Sequence, residues 1–312
     1  MHLDSHSQTW SVRGQPDFVA EAEALVARAE ATAPAVVPKP PVKSWAPRSE
    51  QPIARRYTAG VAHILDAIRS GEVYQVNLSW EHTDVPLTDA LGAWLAIRQA
   101  NPAHHGAYLR HGAVELVSNS PELFIEVDQA TRCVRSRPIK GTATLEEGAR
   151  AALEASPKER AELTMIVDLV RNDLGRVAQP GTVQAWPRAI RRCGDLWHAE
   201  QTVEAKLLPE ADALDALAAA FPPGSVTGAP KVRAMEVIHR LEPVPRGVYT
   251  GAIGWLSDCG DARFSVAIRT ATVANGRARF HVGAGIVADS QPEREWEETL
   301  AKAQALAVSL GA

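Results

Sequence analysis

Residues 277–310 read RARFHVGAGIVADSQPEREWEETLAKAQALAVSL, and the fold turns on how they are divided. The stretch to Asp289 is a strand, apolar through Val287, and Pro292 then opens a helix over PEREWEETLAKAQALAVSL. Immediately upstream, VYTGAIGWLS (248–257) and ARFSVAIRTATVA (262–274) read as further strands. A strand cluster closed by one helix leaves too little chain after Gly283-Ala-Gly285 for a βαβ unit, so that glycine pattern is not a dinucleotide site.

Working outward, the same punctuation repeats. YTAGVAHILDAIRSG (57–71) is an amphipathic helix, EVYQVNLSWEHT (72–83) a half-buried strand, and LTDALGAWLAIRQ (87–99) a helix with Thr88 as its expected cap. Short strands follow at HGAYLR, AVELVS, ELFIEVD and CVRSRPI. Ser156-Pro-Lys-Glu159 opens a helix expected to run to about Val177, with Ser156 as cap, Pro157 at its first position and Glu159 closing a capping box. Strands TVQAWP and HAEQTVEAKL, helix DALDALAAAF, the loop PPGSVTGAP and helix KVRAMEVIHRL complete the central part. Hairpin-like strand clusters alternating with long helices predict an α+β fold with antiparallel sheets covered by helices. Residues 1–55 are expected to be an N-terminal helix (17–30) and a proline-rich linker, and 56–312 the catalytic domain.

Composition narrows the class of function. Across 312 residues, 33 Lys plus Arg balance 37 Asp plus Glu, 46% of residues are apolar, and the formal charge is −4. Such a chain lacks the basic face of a nucleic-acid binder, and it has no apolar run long enough for a membrane span. The polar start and the scattered Cys133, Cys193 and Cys259 predict a reducing cytoplasm, with no disulfide framework or zinc pair. Only seven of the 33 cations are lysines, at 39, 43, 140, 158, 206, 231 and 302. Where an amine must lose its proton, lysine alone serves. Gly224-Ser-Val-Thr-Gly228-Ala-Pro-Lys231 lacks the ending of a phosphate loop. Cys193 has no activating surroundings and reads as structural. Glu159 and Glu162 share one helix face, as do Glu295 and Glu298 with Lys302 a turn later; read alone, each is a solvated surface. Facing pairs from two helices would suit Mg2+, but periodicity does not establish that they face.

Eight segments in order carry more than any single motif: YQVNLS (74–79), SNSPELF (118–124), RPIKGT (137–142), AELTMIVDLVRNDLGRV (161–177), FPPGSVTGAPKVRAMEVI (221–238), RGVYTGAIGW (246–255), AIRT (267–270) and GAGIVADSQPEREWEETLAKA (283–303). Through them the chain resembles the chorismate-utilising enzymes, a family that includes anthranilate synthase component I, aminodeoxychorismate synthase component I and the isochorismate and salicylate synthases. The resemblance implies two mostly antiparallel sheets packed as a sandwich with helices outside. It implies Mg2+ held by Glu162 and Glu298, with Glu295 as a direct or water-mediated ligand, Glu159 outside them and Lys302 neutralising the bound carboxylate. Arg269 and Tyr249, with backbone N–H groups of Gly283, Ala284 and Gly285, are then expected at the enolpyruvyl carboxylate. Gly141 and Thr142 would line the ring pocket, and His198 would sit near the pyruvyl end.

Two positions separate the branches of the family. Where isochorismate and salicylate synthases carry a water-activating lysine, this chain has Gln75. Where anthranilate synthases have alanine before Gly141, it has Lys140, the mark of aminodeoxychorismate synthase component I. The implied reaction is amination of chorismate at C4 through a Lys140 adduct, with Glu122 as the acid and ammonia from a separate glutaminase subunit. The alternatives are anthranilate synthase component I, or a shortened chorismate-binding protein without turnover. The leading region here is shorter than in larger family members, so a tryptophan pocket is not expected to be complete.

Overall fold

The computed structural model describes residues 2–4, 9–11, 20, 24, 27 and 51–311. The helix expected over 17–30 and the proline-rich stretch up to residue 50 lie outside them, apart from those three isolated residues. Strands β1 (His2–Asp4) and β2 (Thr9–Ser11) pair with each other. Then come helix α1 (Gln51–Arg69), β3 (Gln75–Pro86), α2 (Ala90–Ala100), β4 (His105–His111), β5 (Val114–Ser120), β6 (Leu123–Asp128), β7 (Cys133–Arg137) and β8 (Ile139–Thr144). Helices α3 (Ala149–Ala155) and α4 (Pro157–Gly175) follow, then β9 (Gln184–Ala185), β10 (Ala189–Cys193), β11 (Leu196–Glu200), β12 (Val203–Lys206) and α5 (Ala213–Ala220). The chain closes with β13 (Gly228–Ala229), α6 (Lys231–Leu241), β14 (Ala252–Leu256), β15 (Ala262–Val266), β16 (Thr270–Ala274), β17 (Arg277–Ile286) and α7 (Pro292–Ser309).

Two six-stranded antiparallel sheets result, in the orders β13-β3-β17-β16-β5-β4 and β14-β15-β6-β7-β12-β9, with a small third sheet β10-β11-β8. Helices cover the sheets, as an α+β fold requires. On the second sheet, Leu163, Ile166, Val167 and Leu174 of α4 pack with Ile125, Val134 and Val203. On the first, one cluster joins Ala93 and Ile97 of α2 and Leu306 of α7 to Val117, Val273 and Phe280. A second cluster joins α1 and α6 to β3 and β17 through Val61, Ile64, Val237 and Ile286.

The structure corrects several boundaries, and the reason recurs. CVRSRPI is two strands, because Pro138 lacks an N–H for the ladder and the chain changes sheet there. HAEQTVEAKL divides between the small sheet and the second sheet, and ARFSVAIRTATVA divides between the second sheet and the first. The cap of α2 is Asp89, not Thr88: its carboxylate accepts from Gly92 N at 2.8 Å. Ser156 does cap α4, accepting from Glu159 N at 3.3 Å, but the Glu159 carboxylate turns to Gly141 instead of closing the box. Lys231 donates to Asp173 at 2.6 Å and to the Ala220 carbonyl at 2.7 Å, so the phosphate-loop look-alike is a structural tie between α6 and α4. No helix among the described residues is long and apolar enough to cross a membrane.

Candidate active site

Four crossings between sheets carry the candidate residues. Glu122 follows β5, Lys140 comes two residues after Pro138, His198 lies in β11 just before the step to β12, and Arg269 sits between β15 and β16. At a crossing the ladder is interrupted, so a side chain can be aimed into the gap between sheets rather than along one face. Arg269 accordingly holds φ at +50° and Thr250, on the neighbouring segment, at +63°. Backbone bonds from Thr250 N to Ala267 O (2.8 Å) and from Ala267 N to Gly251 O (2.9 Å) hold these two segments side by side.

The floor of the cleft is β17 beside β3. Gly285 pairs with Asn77, Ala284 with Leu78 and Gly283 with Ser79. The glycines are required by close approach. A Cβ at Gly283 would stand 2.6 Å from Asn77 Oδ1 and 2.9 Å from the Tyr249 hydroxyl; one at Gly285 would stand 3.1 Å from Gln75 Nε2 and 3.3 Å from Lys140 Nζ. Four polar groups thus converge over two bare positions. Asn77 N donates to Thr227 O, Ser79 N donates to Glu242, and Lys302 Nζ reaches Gly283 O at 3.0 Å. The backbone groups of Gly283 and Gly285 therefore point away from β3, and antiparallel alternation commits those of Ala284 to Leu78. The expectation that Ala284 offers its N–H to a ligand is corrected: that N–H belongs to the ladder, and the Ala284 side chain is buried in the core behind.

Lys140 and Glu122 lie within reach of each other's charge. Burial pulls the Lys140 pKa down, against the pull of Glu162 and Glu122. Burial pushes Glu122 up to about 7, against hydrogen bonds from Ser225 and the Ile139 backbone and the charge of Lys140. Both shifts favour the neutral forms, an amine beside a carboxylic acid.

The carboxylates of α4 and α7 do meet electrostatically. Burial raises the Glu162 pKa, and Glu159 and Glu295 add to it while Lys140 and Lys158 oppose it. Burial also raises Glu295, with Glu298 adding to it and a hydrogen bond from Ser290 opposing it. Lys158 lies 3.9 Å from Glu162, and Lys302 pairs with Glu298 at 2.6 Å. As placed, no three His, Cys, Asp or Glu side chains among the described residues are gathered closely enough to hold a metal ion. The donor set nevertheless fits a hard divalent cation: it is all carboxylate, drawn from two helices, and its like charges disfavour ionisation without a counter-charge. Glu159 lies outside it, its Oε2 2.8 Å from where a Cβ at Gly141 would stand.

A second cluster joins Thr142, His198 and Arg269. Thr142 Oγ1 and His198 Nδ1 are 3.0 Å apart, and His198 Nε2 is buried without a partner. Burial pushes His198 down to about 4, with Arg269 adding to the shift, so the imidazole is neutral near pH 7. Burial lowers Arg269 as well. Cys193 is buried and free.

Sequence reasoning missed the support under Tyr249. Arg246 and Glu242 form a buried pair, with Nη2–Oε1 at 2.7 Å and Nε–Oε2 at 2.8 Å. Arg246 also donates to Val226 O at 2.9 Å and Asn77 O at 2.7 Å, and its guanidinium lies 5.6 Å from the Tyr249 ring centre. Tyr249 stacks on His281 at 5.4 Å with an interplanar angle of 13°. Burial pushes the phenol to about 12, so it remains a hydrogen-bond donor. Arg246 was visible only as the first residue of RGVYTGAIGW; nothing in its spacing marked it as buried.

The profile of a family described as chorismate binding enzyme matches residues 1–308. An aminodeoxychorismate synthase of Streptomyces griseus is 40% identical over 311 residues, covering 94% of this chain and 42% of that protein. Anthranilate synthase component 1 of Methanothermobacter thermautotrophicus is 43% identical over 265 residues, covering 82% of this chain and 56% of that protein. The crystal structure of anthranilate synthase component I from Streptococcus pneumoniae superposes with a TM-score of 0.81 at 32% identity, covering 98% of this chain and 71% of that one. The chain spans about half the length of the curated relatives it matches.

Proposed function

The chain belongs to the chorismate binding enzyme family, and from that premise we propose that it aminates chorismate at C4 to give 4-amino-4-deoxychorismate. The observation that supports this most is the neighbouring pair of Lys140 and Glu122, a half-buried amine with lowered pKa and a buried carboxyl that keeps its proton to about pH 7. Lys140 attacks ring C2 with its lone pair, both ring double bonds shift one place towards C4, and the C4–O bond breaks. Hydroxide is a poor leaving group, so Glu122 gives its proton to the departing oxygen and water leaves. Ammonia then attacks C4, both double bonds shift back, and the C2–N bond breaks to release Lys140. The proton shed by the incoming ammonia restores Glu122, and the sum is chorismate plus ammonia giving the amino product and water.

The remaining residues bind and orient. Arg269 offers a planar fork to the enolpyruvyl carboxylate, with Tyr249 and the outward-facing N–H groups of Gly283 and Gly285 as further donors. Gly141 and Thr142 line the ring, and Thr142 fixes His198 near the pyruvyl end. Glu162 and Glu298 would hold Mg2+, with Glu295 beside them and Lys302 balancing charge. When bound, that ion supplies Lewis-acid polarisation of a substrate carboxylate. Ammonia comes from a separate glutaminase subunit in this reading. Gln75, buried beside Lys140 at Gly285, offers no base to activate water, which disfavours isochorismate formation.

Product identity tests the reading. The pure chain, incubated with chorismate, Mg2+ and ammonium, is expected to form 4-amino-4-deoxychorismate by mass spectrometry. Anthranilate plus pyruvate would place it with the anthranilate synthases instead.

A further inference from the structure

One polar group over the glycine floor has no task in the mechanism. Asn77 is 6% exposed, and its Oδ1 is buried with no hydrogen-bond partner. The oxygen is aimed into the cleft, at the bare position of Gly283, beside the Tyr249 hydroxyl. Its backbone is held on both sides: the N–H donates to Thr227 O at 2.8 Å, and the carbonyl accepts from Arg246 at 2.7 Å. Two residues earlier on the same face, both amide atoms of Gln75 are likewise buried without partners.

A buried acceptor left unpaired lowers the stability of the free protein, and an apolar group of the same shape would be the better choice for folding alone. A donor on the ligand resolves the cost. The neighbourhood selects a neutral donor, because the groups beside Asn77 over Gly283 are the Leu78 carbonyl and the uncharged Tyr249 phenol, and the acidic residues gather around Lys140 instead.

We infer that Asn77 is a specificity-determining residue whose side-chain carbonyl accepts a hydrogen bond from a ring hydroxyl of the substrate. The assignment rests on the chorismate reading and deepens it. A site built to pair with a substrate hydroxyl discriminates strongly, because its own acceptor is stranded when the hydroxyl is missing.

Thermal melting of wild type, Asn77→Leu and Asn77→Ala, with and without chorismate, tests this, together with KM in the amination assay. Without ligand, Asn77→Leu is expected to melt higher than wild type, since it removes a stranded polar atom at similar volume. With chorismate, the ligand-induced rise in Tm should shrink in both variants, and KM should increase about tenfold or more. If Asn77→Leu melts lower without ligand and both variants keep the full chorismate-induced rise, Asn77 is structural and the inference is overturned. Should Asn77→Leu fail to fold, the Asn77→Ala ligand shift and KM decide in the same way. If wild type itself shows no rise with chorismate, the substrate reading fails and this assignment with it. A wild-type rise matched by both variants defeats the assignment alone.

Discussion

Lys140→Ala is expected to lower kcat for amination of chorismate by about 10³-fold or more, because the group that forms the covalent bond is gone and binding alone gives only residual rate. The loss should fall on kcat, since Arg269, Tyr249 and the glycine floor, to which we assign substrate binding, are untouched. Lys140→Arg separates charge from nucleophilicity. Arginine keeps the cation among Glu122, Glu159 and Glu162 but cannot shed its proton, so it should be as inactive as alanine. Near-normal turnover in either variant, measured by product formation on folded protein, would remove Lys140 from the nucleophile role.

Glu122→Gln is the second large effect. The amide keeps the shape and a hydrogen bond to Ser225 but has no acidic proton for the leaving oxygen, so kcat should fall by about 10²–10⁴-fold. The pH profile carries a sharper sign. Glu122 acts protonated, and burial raises its pKa to about 7, so wild-type activity should decline as pH rises through that value. Lys140 acts neutral, with a pKa lowered by burial, so activity should also decline on the acid side as the amine gains its proton. In Glu122→Gln the decline above about pH 7 should disappear while the acid-side decline persists. An unchanged alkaline limb would assign it to another group.

Much of the fold was legible, and for a definite reason. Helices closed by strong punctuation, such as α6 at Lys231–Leu241 and α7 from Pro292, were bounded correctly because proline and apolar spacing agree there. The breaks inside long strands were not legible. A run such as ARFSVAIRTATVA keeps its β character while changing sheets at Ala267–Arg269, and no local signal marks the change. The same crossings aim Glu122, Lys140, His198 and Arg269, so the sequence could nominate these residues by resemblance but could not show that Glu122 meets Lys140 or that His198 meets Arg269. Glu162 and Glu295 illustrate the gap most clearly. Helical spacing placed each on a face, and only the packing of α4 and α7 brought one within reach of the other's charge. Asn77 and Arg246 lie in quoted segments but carried no sign of their burial, because burial of a polar residue is a property of what folds over it, not of its neighbours in the chain.

Intact-mass and peptide mass spectrometry of the chain mixed with chorismate and Mg2+, without ammonia, addresses the nucleophile itself. An adduct on the Lys140 peptide equal to chorismate less one water is expected, discharged when ammonium is added. Steady formation of the amino product from enzyme whose Lys140 stays unmodified at every time point would contradict it.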